Sequence, residues 1–178
     1  MSSWRRLAVA ALLTVAGCGG GQESDAGREL PATSAAATVA EQPGQPQGFS
    51  LRAAKVTAAD GEVCEVCVWL ADSGAERSRG LMGVTDLGPA QAMAFLYPRP
   101  TTTSFWMLNT PLPLSIAFFD ADGAFLDSFD MEPCARNPCT SYRTPRDFTV
   151  AVEVPQGGLE ALLMVRGSTL ELLDLPCA

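Results

Sequence analysis

Cys64-Glu65-Val66-Cys67 has the spacing of a dithiol redox motif. Such thiols act at a helix N-terminus, where the dipole lowers one thiol pKa. Here the pair falls in a β-rich run, residues 63–70. Positions three apart on a strand face opposite sides, about 10 Å from each other, and cannot bridge. Cys64 shares a face with Val66, Val68 and Leu70 and is expected in the core; Cys67 shares its face with Glu65 and Trp69. Cys177, in the last residues of the sequence, can pin the tail by pairing with either, which leaves one thiol over. Cys134 and Cys139 flank the turn-rich Ala-Arg-Asn-Pro, so a loop-closing disulfide is expected there. A zinc site from Cys64, Cys67, Cys134 and Cys139 is disfavoured by the strand geometry. Met82, Met93, Met107 and Met131 could join the cysteines as soft ligands for Cu(I), but methionine more often fills core gaps. Asp120-Ala121-Asp122-Gly123 lacks the downstream pattern of a calcium loop and reads as a solvated turn. No metal and no cofactor is expected.

The 178 residues contain no histidine. That removes the commonest general base and the Ser-His and Cys-His nucleophile pairs. Lys55, the one lysine, lies in a strand and is a poor partner for a serine nucleophile. Sixteen carboxylates follow residue 49, but no pair among them is singled out for glycoside hydrolysis. With a net charge of −8, the chain has no general electrostatic reason to bind nucleic acid.

Phe105-Trp106-Met107-Leu108 alternates faces when extended. If Phe105 and Met107 enter the core, Trp106 and Leu108 face outward unless the loop after Pro133 covers them. An exposed Trp106 near Asn109, Tyr142 and Arg143 suits a sugar or small amphiphilic ligand, held by stacking and a few hydrogen bonds.

The elements that must position these groups begin after a long leader. Residues 1–6 carry Arg5 and Arg6, and residues 7–17 form an apolar run of secretory type. The run ends Val15-Ala16-Gly17-Cys18, which resembles a bacterial lipobox, so residues 1–17 are expected to be cleaved and Cys18 lipidated. Several acyl chains give stable anchoring where one is marginal. Residues 18–48 hold six Gly, six Ala, three Pro and four Gln and no aromatic. They cannot bury enough apolar area to offset ordering and read as a flexible tether. Twelve of the thirteen aromatics lie from Phe49 onward, which places a domain at 49–178.

In that domain, β-rich runs are expected at 49–57, 63–71, 92–97, 102–108, 114–119, 124–129, 148–154 and 170–173. Asp60-Gly61 and Asp122-Gly123 supply hairpin turns. Prolines 98, 100, 111, 113, 145 and 155 mark run ends. Ser73-Gly74-Ala75-Glu76 fits a capping box for a short helix stopping near Gly80, and residues 158–164 fit another. The expected class is mainly β, a compact antiparallel sandwich or barrel with one or two short helices.

Several boxes agree with one family. Arg79-Gly80-Leu81-Met82-Gly83, Ser104-Phe105-Trp106-Met107-Leu108-Asn109-Thr110, Pro113-Leu114-Ser115-Ile116, and Met131-Glu132-Pro133-Cys134 with Pro138-Cys139 and Tyr142 appear in order. This arrangement resembles the domain-of-unknown-function 192 family over about residues 66–154, with an extension to 173 left open. The resemblance implies a compact, β-rich, often exported domain and brings no established reaction. Leu108 stands where the family usually has Lys, and Ser115 where it usually has Asp.

These readings converge on an extracytoplasmic lipoprotein, membrane-bound through Cys18, that acts as a non-catalytic binding or accessory module for a carbohydrate or other envelope component. The competing expectations are a thiol-redox or Cu(I)-handling protein and a carboxylate-dependent hydrolase.

Overall fold

The computed structural model describes residues 43–177. The signal segment, Cys18 and the tether as far as residue 42 lie outside the described residues. Seven strands form one mixed sheet: β1 (Ser50–Thr57), β2 (Val63–Ala71), β3 (Ala92–Thr101), β4 (Leu114–Phe119), β5 (Phe125–Met131), β6 (Phe148–Pro155) and β7 (Thr169–Leu172). Their order across the sheet is β5-β4-β6-β3-β2-β1-β7. A single helix, α1 (Gly74–Arg79), and a 3-10 turn, Glu160–Leu162, complete the regular elements among the described residues. No helix among them is long and apolar enough to cross a membrane.

The mainly β expectation holds, in the form of an open sheet with one parallel pair. β1 and β2 form the expected hairpin, with Val56 opposite Cys64. Its turn needs positive φ, and Gly61 supplies it at φ 90°. β2 and β3 run parallel, with Val68 opposite Ala92. Parallel neighbours need a crossover rather than a tight turn, and residues 72–91, carrying α1, make it. The sheet does not close. Its edge strands meet at one point, where Ala124, just before β5, bridges Thr169 of β7.

Three expected elements change. β3 continues through Pro98 and Pro100 to Thr101. The register slips between Leu96 and Thr101, so the prolines sit where no ladder bond is required of them. Residues 102–108 are not a strand. They run extended and pair through isolated bridges, Phe105 with Tyr142 and Leu108 with Cys134. The expected helix at 158–164 is reduced to the 3-10 turn.

Both faces of the sheet are buried, which is why all six residues of β4 are buried. One face gathers Val56, Cys64, Val66, Val68, Val152 and Met164. The other gathers Trp69, Met93, Phe95, Phe105, Ile116, Phe118 and Phe148. Phe105 makes edge-on contacts with Phe95 and Phe118, at centroid distances of 5.2 and 5.7 Å. Cys64 and Cys67 thus enter opposite clusters, as their spacing on a strand requires.

Candidate functional site

The second face of the sheet is covered by loops rather than by a second sheet. Ser73 caps α1 from both directions. Its Oγ accepts from the Glu76 amide at 3.2 Å, and the Glu76 carboxylate accepts from the Ser73 amide at 2.9 Å. These bonds hold the Glu76 carboxyl below the usual carboxylate range, the Ser73 amide contributing most. The helix ends at Gly80, whose φ is 47° and where a Cβ would come within 3.2 Å of the Phe95 ring. Glycine is therefore required by both backbone and packing.

The boxes read from the sequence then lock together. The Gly83 amide donates to the Asn109 carbonyl at 2.8 Å, which joins the Gly-Leu-Met turn to the Phe-Trp-Met segment. Phe105 and Tyr142 exchange both backbone bonds, at 2.8 and 2.9 Å, and the Asn109 amide donates to the Cys134 carbonyl at 2.8 Å. The Pro-Cys loop is closed by the Cys134–Cys139 disulfide and straps this segment in place. Cys67 is bonded to Cys177, so the Cys64/Cys67 pair does not act as one dithiol, and no described cysteine is free.

Between these loops and the sheet lies a cleft of about 420 Å³. Phe95 and Tyr97 of β3, Phe105 and Trp106 of the extended segment, Arg77 of α1, and Arg79 to Met82 line it. Glu153 and Thr110 also line it, and both are 5% exposed. Glu153 comes from the middle of β6, opposite Met93 on one side and Ile116 on the other. Burial pushes its carboxyl up to about 8. Desolvation of the charged form is the cause, with no hydrogen bond to another described residue offsetting it. At pH 7 the group is mostly a neutral acid, able to donate and to accept. Burial also raises the Tyr97 hydroxyl, Arg77 opposing this and Glu153 adding to it.

The two arginines are held by carbonyls and rings. Arg77 Nη1 donates to the carbonyls of Asp72 and Leu96, and its guanidinium lies 4.9 Å from the Tyr97 ring centre. Arg79 Nη2 donates to the Gln47 carbonyl at 2.5 Å and lies 4.2 Å from the Phe49 ring centre. Neither forms an ion pair with another described residue, whereas Lys55 pairs with Glu171. Residues 43–48, on the tether side of the expected boundary, lie against this turn. The Gly44 carbonyl accepts from the amides of Thr85 and Asp86.

Of the four expected ligand residues, the cleft takes one. Trp106 stands at its edge and is 54% exposed, while Phe105 and Met107 beside it are buried. Asn109 is exposed in the left-handed region at φ 56°, and its backbone holds the neighbouring loops. The Tyr142 hydroxyl accepts from the Glu132 amide at 3.2 Å and belongs to the strap. Arg143 is exposed beside a different, smaller depression with Thr102 and Pro145. Phe105 and Tyr142 meet through backbone, so proximity in the ladder does not carry the Tyr142 ring to the cleft. The residues that sequence reasoning passed over are Arg77, Arg79, Tyr97 and Glu153. A signal for Glu153 existed: it is the one charged residue in Phe-Thr-Val-Ala-Val-Glu-Val, a run apolar on both faces.

Among the described residues, no group of three or more acids and cysteines is placed to hold a metal ion. Asp120 Oδ1 accepts from the Asp122 and Ala124 amides and shapes the β4–β5 turn. Ser115 is buried, donates to Asp130 at 2.5 Å and accepts from the Gly157 amide.

A profile of the domain-of-unknown-function 192 family, described as an uncharacterized ACR, matches residues 55–172. A crystal structure of a candidate transcription regulator from Sinorhizobium meliloti 1021 is similar, with 23% identity and a TM-score of 0.63. It covers 70% of this chain and 95% of its own. A protein of unknown function from Novosphingobium aromaticivorans DSM 12444 is 28% identical, also with a TM-score of 0.63. It covers 79% of this chain and 99% of its own. No curated protein matches the chain.

Proposed function

The chain belongs to the domain-of-unknown-function 192 family, and from that premise we propose that it is a membrane-anchored extracytoplasmic lipoprotein whose domain is a non-catalytic binding module. The ligand is small and has both an apolar face and hydrogen-bonding groups, as a carbohydrate or small amphiphile does. The observation that carries this reading is Trp106, a large aromatic held 54% exposed at the edge of a cleft while its chain neighbours are core. An exposed indole beside a concave site is a stacking platform for a ring. Thr110 and Glu153 offer the few convergent polar groups that orient a ligand.

The cleft lining argues for binding over hydrolysis. It contains one carboxyl, Glu153, whereas the usual glycosidase chemistry needs two flanking the bond. The anchoring half of the proposal rests on Val15-Ala16-Gly17-Cys18 and the basic, apolar leader before it. A glycan array probed with the full chain and with Trp106→Ala tests the binding half. The proposal expects hits that the variant loses, and an array without hits, or equal binding by both proteins, overturns it. Incorporation of labelled palmitate in a bacterial host tests the anchor. The label is expected on the wild type and absent from Cys18→Ala, and an unlabelled wild type overturns it.

A further inference from the structure

We infer that the cleft takes an anionic ligand, a carboxylate attached to a six-membered ring, with the carboxylate toward Arg77 and the ring on Trp106. The inference rests on the binding reading above and adds the charge of the ligand.

Charge distribution is the first ground. The chain carries −8 overall, and sixteen acids outnumber nine basic residues from Phe49 onward. Yet the charged side chains of the cleft are Arg77 and one glutamate, the Arg79 guanidinium packing just beside it on Phe49 and the Gln47 carbonyl. Neither arginine forms an ion pair with another described residue; both are oriented by carbonyl oxygens and by an aromatic ring beneath. Carbonyls use some of a guanidinium's five donors and leave its full charge uncompensated. The nearest acid on α1, Glu76, is turned away to the Ser73 and Asp72 amides. An arginine fork matches a planar carboxylate better than any neutral hydroxyl.

The floor of the cleft is the second ground. Glu153 is buried, unpartnered and faces the cleft, so a ligand group is its available partner among the groups described. An ionised glutamate there would repel an anion. Burial keeps it protonated at neutral pH, which removes the repulsion and supplies an O–H donor to a ligand oxygen. A cationic ligand would suit an ionised Glu153, but would meet Arg77 in the same cleft. The ring is required by Trp106 and Tyr97, which offer aromatic surface beside these polar groups.

Calorimetric titration of the full chain in detergent tests this directly. The probes are uronate disaccharides in gluco, galacto and manno configuration, the corresponding neutral disaccharides, and benzoate. The expected result is binding of a uronate at least tenfold tighter than its neutral counterpart. Arg77→Gln should weaken the acid at least tenfold and the neutral sugar little, and Arg77→Lys should retain more affinity than Arg77→Gln. Benzoate binding without uronate binding also supports the inference and places the source among aromatic acids. Neutral sugars bound as tightly as uronates, with loss in Trp106→Ala, overturn the inference and leave the binding module standing. No binding of any probe overturns the inference, and the glycan array then decides the binding module separately. The comparison between ligands needs no variant, so a misfolded arginine substitution does not blunt it.

Discussion

Glu153 lies directly opposite Met93 in the β3–β6 ladder, a carboxyl group beside a fully buried thioether. Burial raises its pKa from 4.5 to about 8. In the unfolded chain the group ionises near its ordinary value, so between these two pH values the folded state binds more protons than the unfolded one. Stability is therefore highest below pH 4.5 with respect to this group and falls as pH rises toward 8. The slope approaches at most about 1.4 kcal/mol per pH unit. Glu153→Gln should abolish this part of the slope and gain about 2–4 kcal/mol over wild type between pH 5 and pH 8. Urea unfolding at both pH values checks it, and parallel wild-type and variant curves contradict it.

Phe105 and Trp106 are adjacent and should behave oppositely. Phe105 is 8% exposed and touches the rings of Phe95, Phe118 and Phe148. Phe105→Ala should cost about 3–5 kcal/mol, the range for a buried aromatic. Trp106→Ala should change stability by less than about 1 kcal/mol, since it removes exposed surface. Thermal unfolding of the two variants separates a core role from a cleft role.

The Cys67–Cys177 bridge spans 110 residues of chain and holds the tail against β1, where Ala53 exchanges backbone bonds with Leu173 and Leu175. Cys67→Ser should cost about 2–5 kcal/mol, whereas Cys139→Ser, which opens a loop spanning 5 residues, should cost less. Hydrogen exchange should show β7 losing protection in the first variant and retaining it in the second. Equal effects at β7 would contradict the assignment of the tail to Cys67.

Ser73→Ala removes one half of the capping box on a helix of six residues. A cost of about 1 kcal/mol is expected. Because α1 carries Arg77 and leads into Arg79, ligand affinity at the cleft should fall with it. Restoration by Ser73→Asp, another side chain that can accept from the helix amides, checks that the effect runs through the cap.

Much of this fold is determined by local pattern. Alternation in Val63–Ala71 puts Cys64 and Cys67 on opposite faces, since the side-chain period of a strand is two. The capping box appears as Ser73 and Glu76 at the spacing that one helical turn requires. The five-residue spacing of Cys134 and Cys139 around a turn permits their bond. The aromatic content likewise concentrates after residue 49.

What tertiary structure alone decided is which of these pieces meet. The direction of β3 beside β2 depends on where residues 72–91 cross, and periodicity is the same for parallel and antiparallel strands. That crossing brings Arg77 over Tyr97 and into one cleft with Glu153, residues 76 positions apart in the chain. Residues 105–108 kept the burial alternation of a strand without joining the ladder, so Trp106 faces a cleft rather than a neighbouring strand. Asn109, Tyr142 and Arg143 were near Trp106 in pattern, but the Tyr142 hydroxyl bonds the Glu132 amide, Arg143 lies beside another depression, and none of the three lines the cleft. A lone glutamate in an apolar run signals an unusual environment; only the long-range packing of loops on the sheet made that environment a cleft.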